Sequence, residues 1–205
     1  MTLEFTVDPE LTEGLRAEVV ACWADVTNAG GSVGFIPPVT MDDILPIAAR
    51  AFAGVAAGHN RLVIGRERET TARADAGAEI SAAVDTGASA GADVSAGTGD
   101  GRLAALAFLT DERSLLTEHW RMVKRVMVHP DFQGRRYGTL LMAEVERIAR
   151  VMGLELLALD CRAGTGNDEF YKKCGYTEYG RLPGALRIGP DDYRDRVLMA
   201  MSLRG

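Results

Sequence analysis

The chain has 205 residues, 47% of them hydrophobic and 25% charged, enough apolar material for one full core, so a single domain spanning 1–205 is expected. A formal charge of -6 works against a phosphate-backbone partner and no basic patch offsets it, which argues against a nucleic-acid role. Three cysteines (Cys22, Cys161, Cys174) make no disulfide framework, the start lacks the basic-then-apolar order of a leader, and no apolar run reaches the ~18 residues of a membrane span; a cytoplasmic protein without a membrane partner is expected.

Residues 10–29 place Leu11, Leu15, Val19, Cys22, Trp23 and Val26 three and four apart, the spacing of one helix face, and Gly30 and Gly31 stop that helix. Beyond Pro37 and Pro38, the residues Thr40, Asp42 and Asp43 are candidate caps for a second helix, which runs to about Ala57 before His59 and Asn60 end it. Residues 61–65 and 103–109 read as strands and consecutive hairpin partners; the second is almost wholly apolar and belongs at the centre of a sheet. Between them, residues 67–101 are built from Ala, Gly, Ser, Thr and Asp, with only Ile80, Val84 and Val94 as sizeable apolar groups. Ordering costs ~1–2 kcal/mol of backbone entropy per residue, which so little burial cannot offset. The segment is expected to be a low-complexity, disordered hairpin-loop insertion within the domain, with at most a transient turn of helix near residues 72–84.

From Trp120 the pattern becomes regular. A strand at 121–128, a turn, a helix at 137–152, Gly153 and an apolar strand at 154–159 form a βαβ unit. The helix carries Leu141, Val145, Ile148 and Met152 on one stripe, pairs Glu146 with Arg150 on the other, and has a glycine suited to the position after its end. A short helix at 167–173 and strands at 176–179 and 197–203 close the chain.

The turn His129-Pro130-Asp131-Phe132-Gln133-Gly134-Arg135-Arg136-Tyr137-Gly138-Thr139 joins a strand directly to a helix. Unpaired amides at a helix N-terminus, with a dipole worth about 0.3–1 kcal/mol per nearby charge, favour a phosphate there, and Arg135 and Arg136 add counter-charge. Neither the lysine and Ser/Thr pair of a phosphate loop nor a G-x-G-x-x-G with a later acidic residue is present.

These residues resemble the GNAT superfamily of N-acetyltransferases. The family motif Q/R-x-x-G-x-G/A matches Gln133-Gly134-Arg135-Arg136-Tyr137-Gly138, except that Arg136 stands where the first glycine is usual. The flanking blocks Val126-Met127-Val128-His129-Pro130 and Phe170-Tyr171-Lys172-Lys173-Cys174-Gly175-Tyr176 also match in order and distance. The likeness is specific over residues 103–180 and loose over the two N-terminal helices, which in the family frame the acceptor pocket. Within the family, residues 124–161 are loosely similar to small-molecule detoxifying members such as the tabtoxin-resistance acetyltransferases.

The resemblance implies an α/β (α+β) mixed sheet of the acyl-CoA N-acyltransferase type, with its central parallel strands splayed apart. It implies acetyl-CoA as co-substrate, with the pyrophosphate on the amides of Gln133, Gly134, Arg135, Arg136, Tyr137, Gly138 and Thr139. The pantetheine would pair with the strand edge of Val126, Met127 and Val128, opposite residues 157–160, where an amide near Val128 polarises the thioester carbonyl. Glycine at position 136 would let the backbone approach the phosphates closely, so Arg136 either weakens that grip or itself holds phosphate.

Direct transfer needs a neutral amine and a proton for the departing thiolate, each positioned proton transfer being worth about 10²- to 10⁴-fold. Tyr171 occupies the family position of the acid. The family's strand glutamate is replaced, with Met122 and Lys124 in that region, so Asp160, and after it Glu118, are the candidate bases, each with a structural cap as the alternative reading. Gly164 holds the place of the family's helix-starting asparagine, and Asn167 reads as an N-cap. Cys161 and Cys174 lack a histidine partner for nucleophilic catalysis, and His59, His119 and His129 lack metal-ligand spacing, so no metal is expected. The implied activity is acetyl transfer from acetyl-CoA to a primary amine of a small molecule in a ternary complex. A protein amine as acceptor, a non-catalytic module that senses acyl-CoA, and a homodimer remain open.

Overall fold

The computed structural model describes residues 2–68 and 101–204. Their order is β1 (Thr2–Val7), α1 (Glu13–Asn28), α2 (Met41–Ala56), β2 (Asn60–Arg68), β3 (Arg102–Thr110), β4 (Trp120–Val128), α3 (Tyr137–Val151), β5 (Leu156–Arg162), α4 (Asn167–Lys173), β6 (Thr177–Arg187) and β7 (Tyr193–Ser202). The strands form one mixed sheet in the order β1-β2-β3-β4-β5-β7-β6, antiparallel at every step except β4 with β5. This is the expected architecture with a central parallel pair.

Strand periodicity assigns side chains to two cores, one on each face of the sheet. In β3, Leu106 and Phe108 point to α1 and α2, where they meet Trp23, Ile44 and Phe52. Ala105, Ala107 and Leu109 point the other way, to Leu141, Val145 and Ile148 of α3. Burial on both faces is why β3 reads as a continuous apolar run rather than an alternating one.

Helix ends follow local chemistry. Thr12 Oγ1 accepts from Leu15 N at 3.2 Å to start α1, and Thr40 with Asp43 forms a capping box on α2. After α3, Gly153 adopts φ +72° while its amide and that of Leu154 return to Arg150 and Ala149, the bonding pattern that a left-handed residue after a helix permits. No helix among the described residues is long and apolar enough to cross a membrane.

Several expectations need correction. Residues 2–7 form a six-residue edge strand antiparallel to β2, a short alternation of Leu3, Phe5 and Val7 that the sequence reading passed over. The closing strands are longer than expected, because β6 and β7 pair across residues 177–187 and 193–202 through two register shifts that a pattern search does not follow. Glu67 and Arg68 belong to β2, not to the insertion; the disorder expected for the remainder, and its transient helical turn, fall outside the described residues except for Gly101. Asn167 is the first residue of α4 and not its cap, since Gly166 takes that place in a left-handed conformation.

Candidate active site

The parallel pair β4–β5 is in register only over Trp120, Arg121 and Met122 against Leu156, Leu157 and Ala158. Beyond that point the strands have no mutual pairing, and a cleft of about 740 Å³ opens between them. Two local features cause the parting. Arg125 sits at φ +55°, at a bulge where the β3–β4 register shifts between Leu106 and Phe108, and a bulge bends a strand and re-aims its side chains. β5 meanwhile follows β7 without interruption through Arg162.

The parting exposes backbone. His129 N donates to Ala104 O at 2.9 Å, so the alternation of an antiparallel ladder turns the amides of Val126 and Val128 away from β3, toward the open edge. Both residues line the cleft, as do Gln133 and Gly138. Met127 points to the opposite face and is buried in the α1–α2 core, so only its backbone belongs to this edge.

The turn into α3 presents its first-turn amides without a side-chain cap. Gly134 lies at φ +78° in open space, whereas Gly138 packs closely against the Phe170 ring, which a Cβ would approach to 3.2 Å. Arg136, the N-cap, is left-handed at φ +63°. That conformation costs a non-glycine residue roughly 1–2 kcal/mol, which explains why the family motif places glycine there. Arg135 does not offer the free counter-charge expected of it: its guanidinium donates to Glu67 at 2.6 Å and lies over the Phe132 ring. The Tyr137 hydroxyl donates to the same carboxylate at 2.5 Å, so Glu67 ties the end of β2 to this turn. Those two donors, the tyrosine first, hold the Glu67 carboxyl below the usual carboxylate range. Thr139 is exposed on the first turn of α3.

Tyr171 and Asp160 line the cleft together. Tyr171 is buried between the Phe170 and Tyr176 rings, and burial holds its phenol well above the ordinary tyrosine range, so it remains protonated. No described residue hydrogen-bonds its hydroxyl. Asp160 lies within β5 rather than at its end, and accepts from Arg196 at 2.7 Å. Glu118 is not brought to the cleft: it precedes β4 at the end where the strands are still paired. Asn167 lines the wall from the start of α4.

Burial pushes the Cys22 thiol up to about 12 and that of Cys161 to about 11, and it also raises Cys174, so none supplies a thiolate near neutral pH. Among the described residues no cluster of three His, Cys, Asp or Glu side chains is placed to hold a metal. The sequence reading missed Gly34, Arg125 and Arg196, all of which line the cleft. The adjacent Lys124 and Arg125 interrupt the alternation of β4 and are the trace of the bulge in the sequence.

The profile of the acetyltransferase (GNAT) family matches residues 73–176, just over half of the chain. The chain belongs to the GNAT family of acetyltransferases. Acetyl-CoA is the co-substrate of this GNAT protein, and the open β4 edge, the uncapped start of α3 and Gly134 fit it. Solved structures share its fold. A protein from Salmonella typhimurium, provisionally named an acetyltransferase and solved with its cofactor acetyl-CoA, is 16% identical with a TM-score of 0.65, covering 100% of this chain and 95% of its own. A ribosomal-protein-alanine N-acetyltransferase from Brucella melitensis is 15% identical at 0.67, covering 99% and 100%. A protein provisionally named a phosphinothricin N-acetyltransferase is 17% identical at 0.65, covering 98% and 100%. At such identities the likeness shows the fold.

Proposed function

We propose that this GNAT protein transfers the acetyl group of acetyl-CoA directly to a primary amine of a small molecule, with both substrates meeting in the β4–β5 cleft. The carrying observation is the parted parallel pair, which sets open amides of Val126 and Val128 on one wall and the protonated hydroxyl of the largely buried Tyr171 on the other. Acetyl-CoA supplies the acetyl group as an activated thioester. The Val126 and Val128 amides hold the pantetheine edge, and the Val128 amide is placed to take up charge that develops on the thioester oxygen. Tyr171 delivers the proton required by the leaving thiolate, and Asp160 takes one from the incoming amine. The cleft shares Gly30, Arg162 and Thr165 with the lining of a smaller hollow of about 320 Å³ that Ile36, Pro37 and Ile188 also line, room suited to a small acceptor. The provisionally named phosphinothricin enzyme among the structural neighbours supports a small acceptor, while the ribosomal-protein-alanine enzyme keeps a protein amine as the rival.

The test is a thermal-shift titration with acetyl-CoA followed by free-thiol release over an amine panel. A ligand at 100 times its dissociation constant adds about 2.7 kcal/mol of stability, so acetyl-CoA should raise Tm by several degrees and small amines should release CoA thiol. Stabilisation with no thiol release from any small amine would sink the small-molecule reading.

Arg136 belongs to the same proposal. Its side chain makes no ion pair or hydrogen bond among the described residues, and it stands at the uncapped start of α3, so we assign it to a CoA phosphate. Arg136→Gly should relieve the left-handed strain and raise stability by up to about 1 kcal/mol in urea unfolding, the glycine's own entropy removing part of the gain. Acetyl-CoA affinity should fall by roughly 3- to 10-fold in calorimetry, the scale of one partly exposed charge contact. Tighter binding would instead mark the arginine as an obstacle to the phosphates.

A further inference from the structure

The cleft is cationic in an acidic protein. Among the described residues lining it are Lys124, Arg125, Arg162 and Arg196 against a single carboxylate, Asp160. Arg196 is committed to Asp160, and Lys124 lies 4.0 Å from Glu112. Among the described residues Arg125 has neither an ion pair nor a hydrogen bond, yet its guanidinium is held in place. It lies 5.0 Å from the centre of the Trp23 ring, and a Cβ on Gly34 would come within 2.8 Å of its central carbon. Trp23 is itself pinned, its indole N–H donating to Val33 O at 3.0 Å. Partial burial disfavours its charge, offset only by the more distant attraction of Asp160, which is itself bonded to Arg196, and a guanidinium fixed between a ring and a glycine loses little freedom when an anion arrives.

The phosphates of CoA are not that anion, because the phosphate turn opens α3 on the other face of the sheet, whereas Trp23 and Val33 belong to the α1–α2 face. We infer that Arg125 receives a carboxylate of the acceptor, which makes the acceptor an amine that also carries a carboxylate, of the amino-acid type. The assignment rests on the small-molecule reading above. A planar guanidinium matches a carboxylate through two parallel hydrogen bonds, which fixes the acceptor's orientation as well as its affinity. The bulge at Arg125 has a second role here, since it aims this side chain into the cleft between the two parted strands.

The experiment compares kcat/KM for amino acids and their decarboxylated amines at saturating acetyl-CoA: L-phenylalanine with phenethylamine, L-methionine with 3-(methylthio)propylamine, and L-lysine with 1,5-diaminopentane. The native protein should prefer the carboxylate member of at least one pair by about 10- to 100-fold, the worth of charge-assisted hydrogen bonds. Arg125→Met should bring that ratio to within about 3-fold, and Arg125→Lys, which keeps charge but not the fork, should fall between. Should Arg125→Met fail to fold by circular dichroism, the native preference and the lysine variant decide. Equal or better turnover of the decarboxylated amines by the native protein, or an undiminished ratio in a folded Arg125 variant, overturns the carboxylate site while leaving the small-molecule reading intact. Acetyl-CoA binding with no thiol release from either member of any pair overturns both.

Discussion

Replacing Tyr171 by phenylalanine is expected to lower kcat by about 100- to 10,000-fold, the worth of one positioned proton transfer, while KM for acetyl-CoA changes by less than about 3-fold. The substitution removes a single oxygen whose hydrogen bond no described residue needs, and keeps a ring packed at 5.1 Å from Phe170 and 6.0 Å from Tyr176. Stability should therefore hold, because the hydroxyl faces the cleft and bonds no described residue. Steady-state kinetics with thiol detection, alongside urea unfolding, separates the effects. A rate within about 3-fold of native would remove Tyr171 from proton transfer and pass that role to a water in the cleft.

Trp23→Ala is expected to cost about 3–5 kcal/mol of stability, the range for truncating a fully buried large aromatic side chain. Trp23 has no solvent exposure and packs edge-on against Phe35 at 5.8 Å, beneath the guanidinium of Arg125. Its removal leaves a cavity and strands the carbonyl of Val33, which sits beside the left-handed Gly34 on the cleft wall. At roughly 2–4 °C per kcal/mol for a chain of this size, Tm should drop by about 6 °C or more, read by calorimetry. Trp23→Phe should recover more than half of the loss, since it refills most of the volume and lacks only the indole N–H. A loss below about 1 kcal/mol in the alanine variant would show that the loop at residues 30–34 is held from elsewhere.

The two predictions draw on different levels of information. Tyr171 could be named from its position in the block Phe170-Tyr171-Lys172-Lys173-Cys174-Gly175-Tyr176, because a short helix after an apolar strand is a local pattern. The role of Trp23 could not. Its spacing with Val19 and Val26 places it on an apolar helix face, but whether that face meets a core or a cleft depends on what the sheet delivers to it. The same division explains Asp160 and Glu118, two carboxylates flanking apolar strands. Only Asp160 lines the cleft: the family resemblance placed it at the splay, while the end of the β4–β5 pairing, at Met122 and Ala158, is visible only in the structure. Arg135 and Arg136 are adjacent and equally charged. One is drawn to Glu67, 68 residues away along the chain, and the other has no ion pair or hydrogen bond among the described residues.

By itself the sequence determined the βαβ unit, the two N-terminal helices, the threonine cap of the second, and, through its motif blocks, the family. Those features arise from periodicities and turn chemistry confined to a few residues, so they are written locally. Tertiary structure alone decided that β1 pairs with β2, that Glu67 draws Arg135 to itself, and that Arg125 stands in the cleft with no ion pair among the described residues. Each depends on groups distant in the chain being brought within a few ångströms, and register, burial and charge pairing exist only after that meeting.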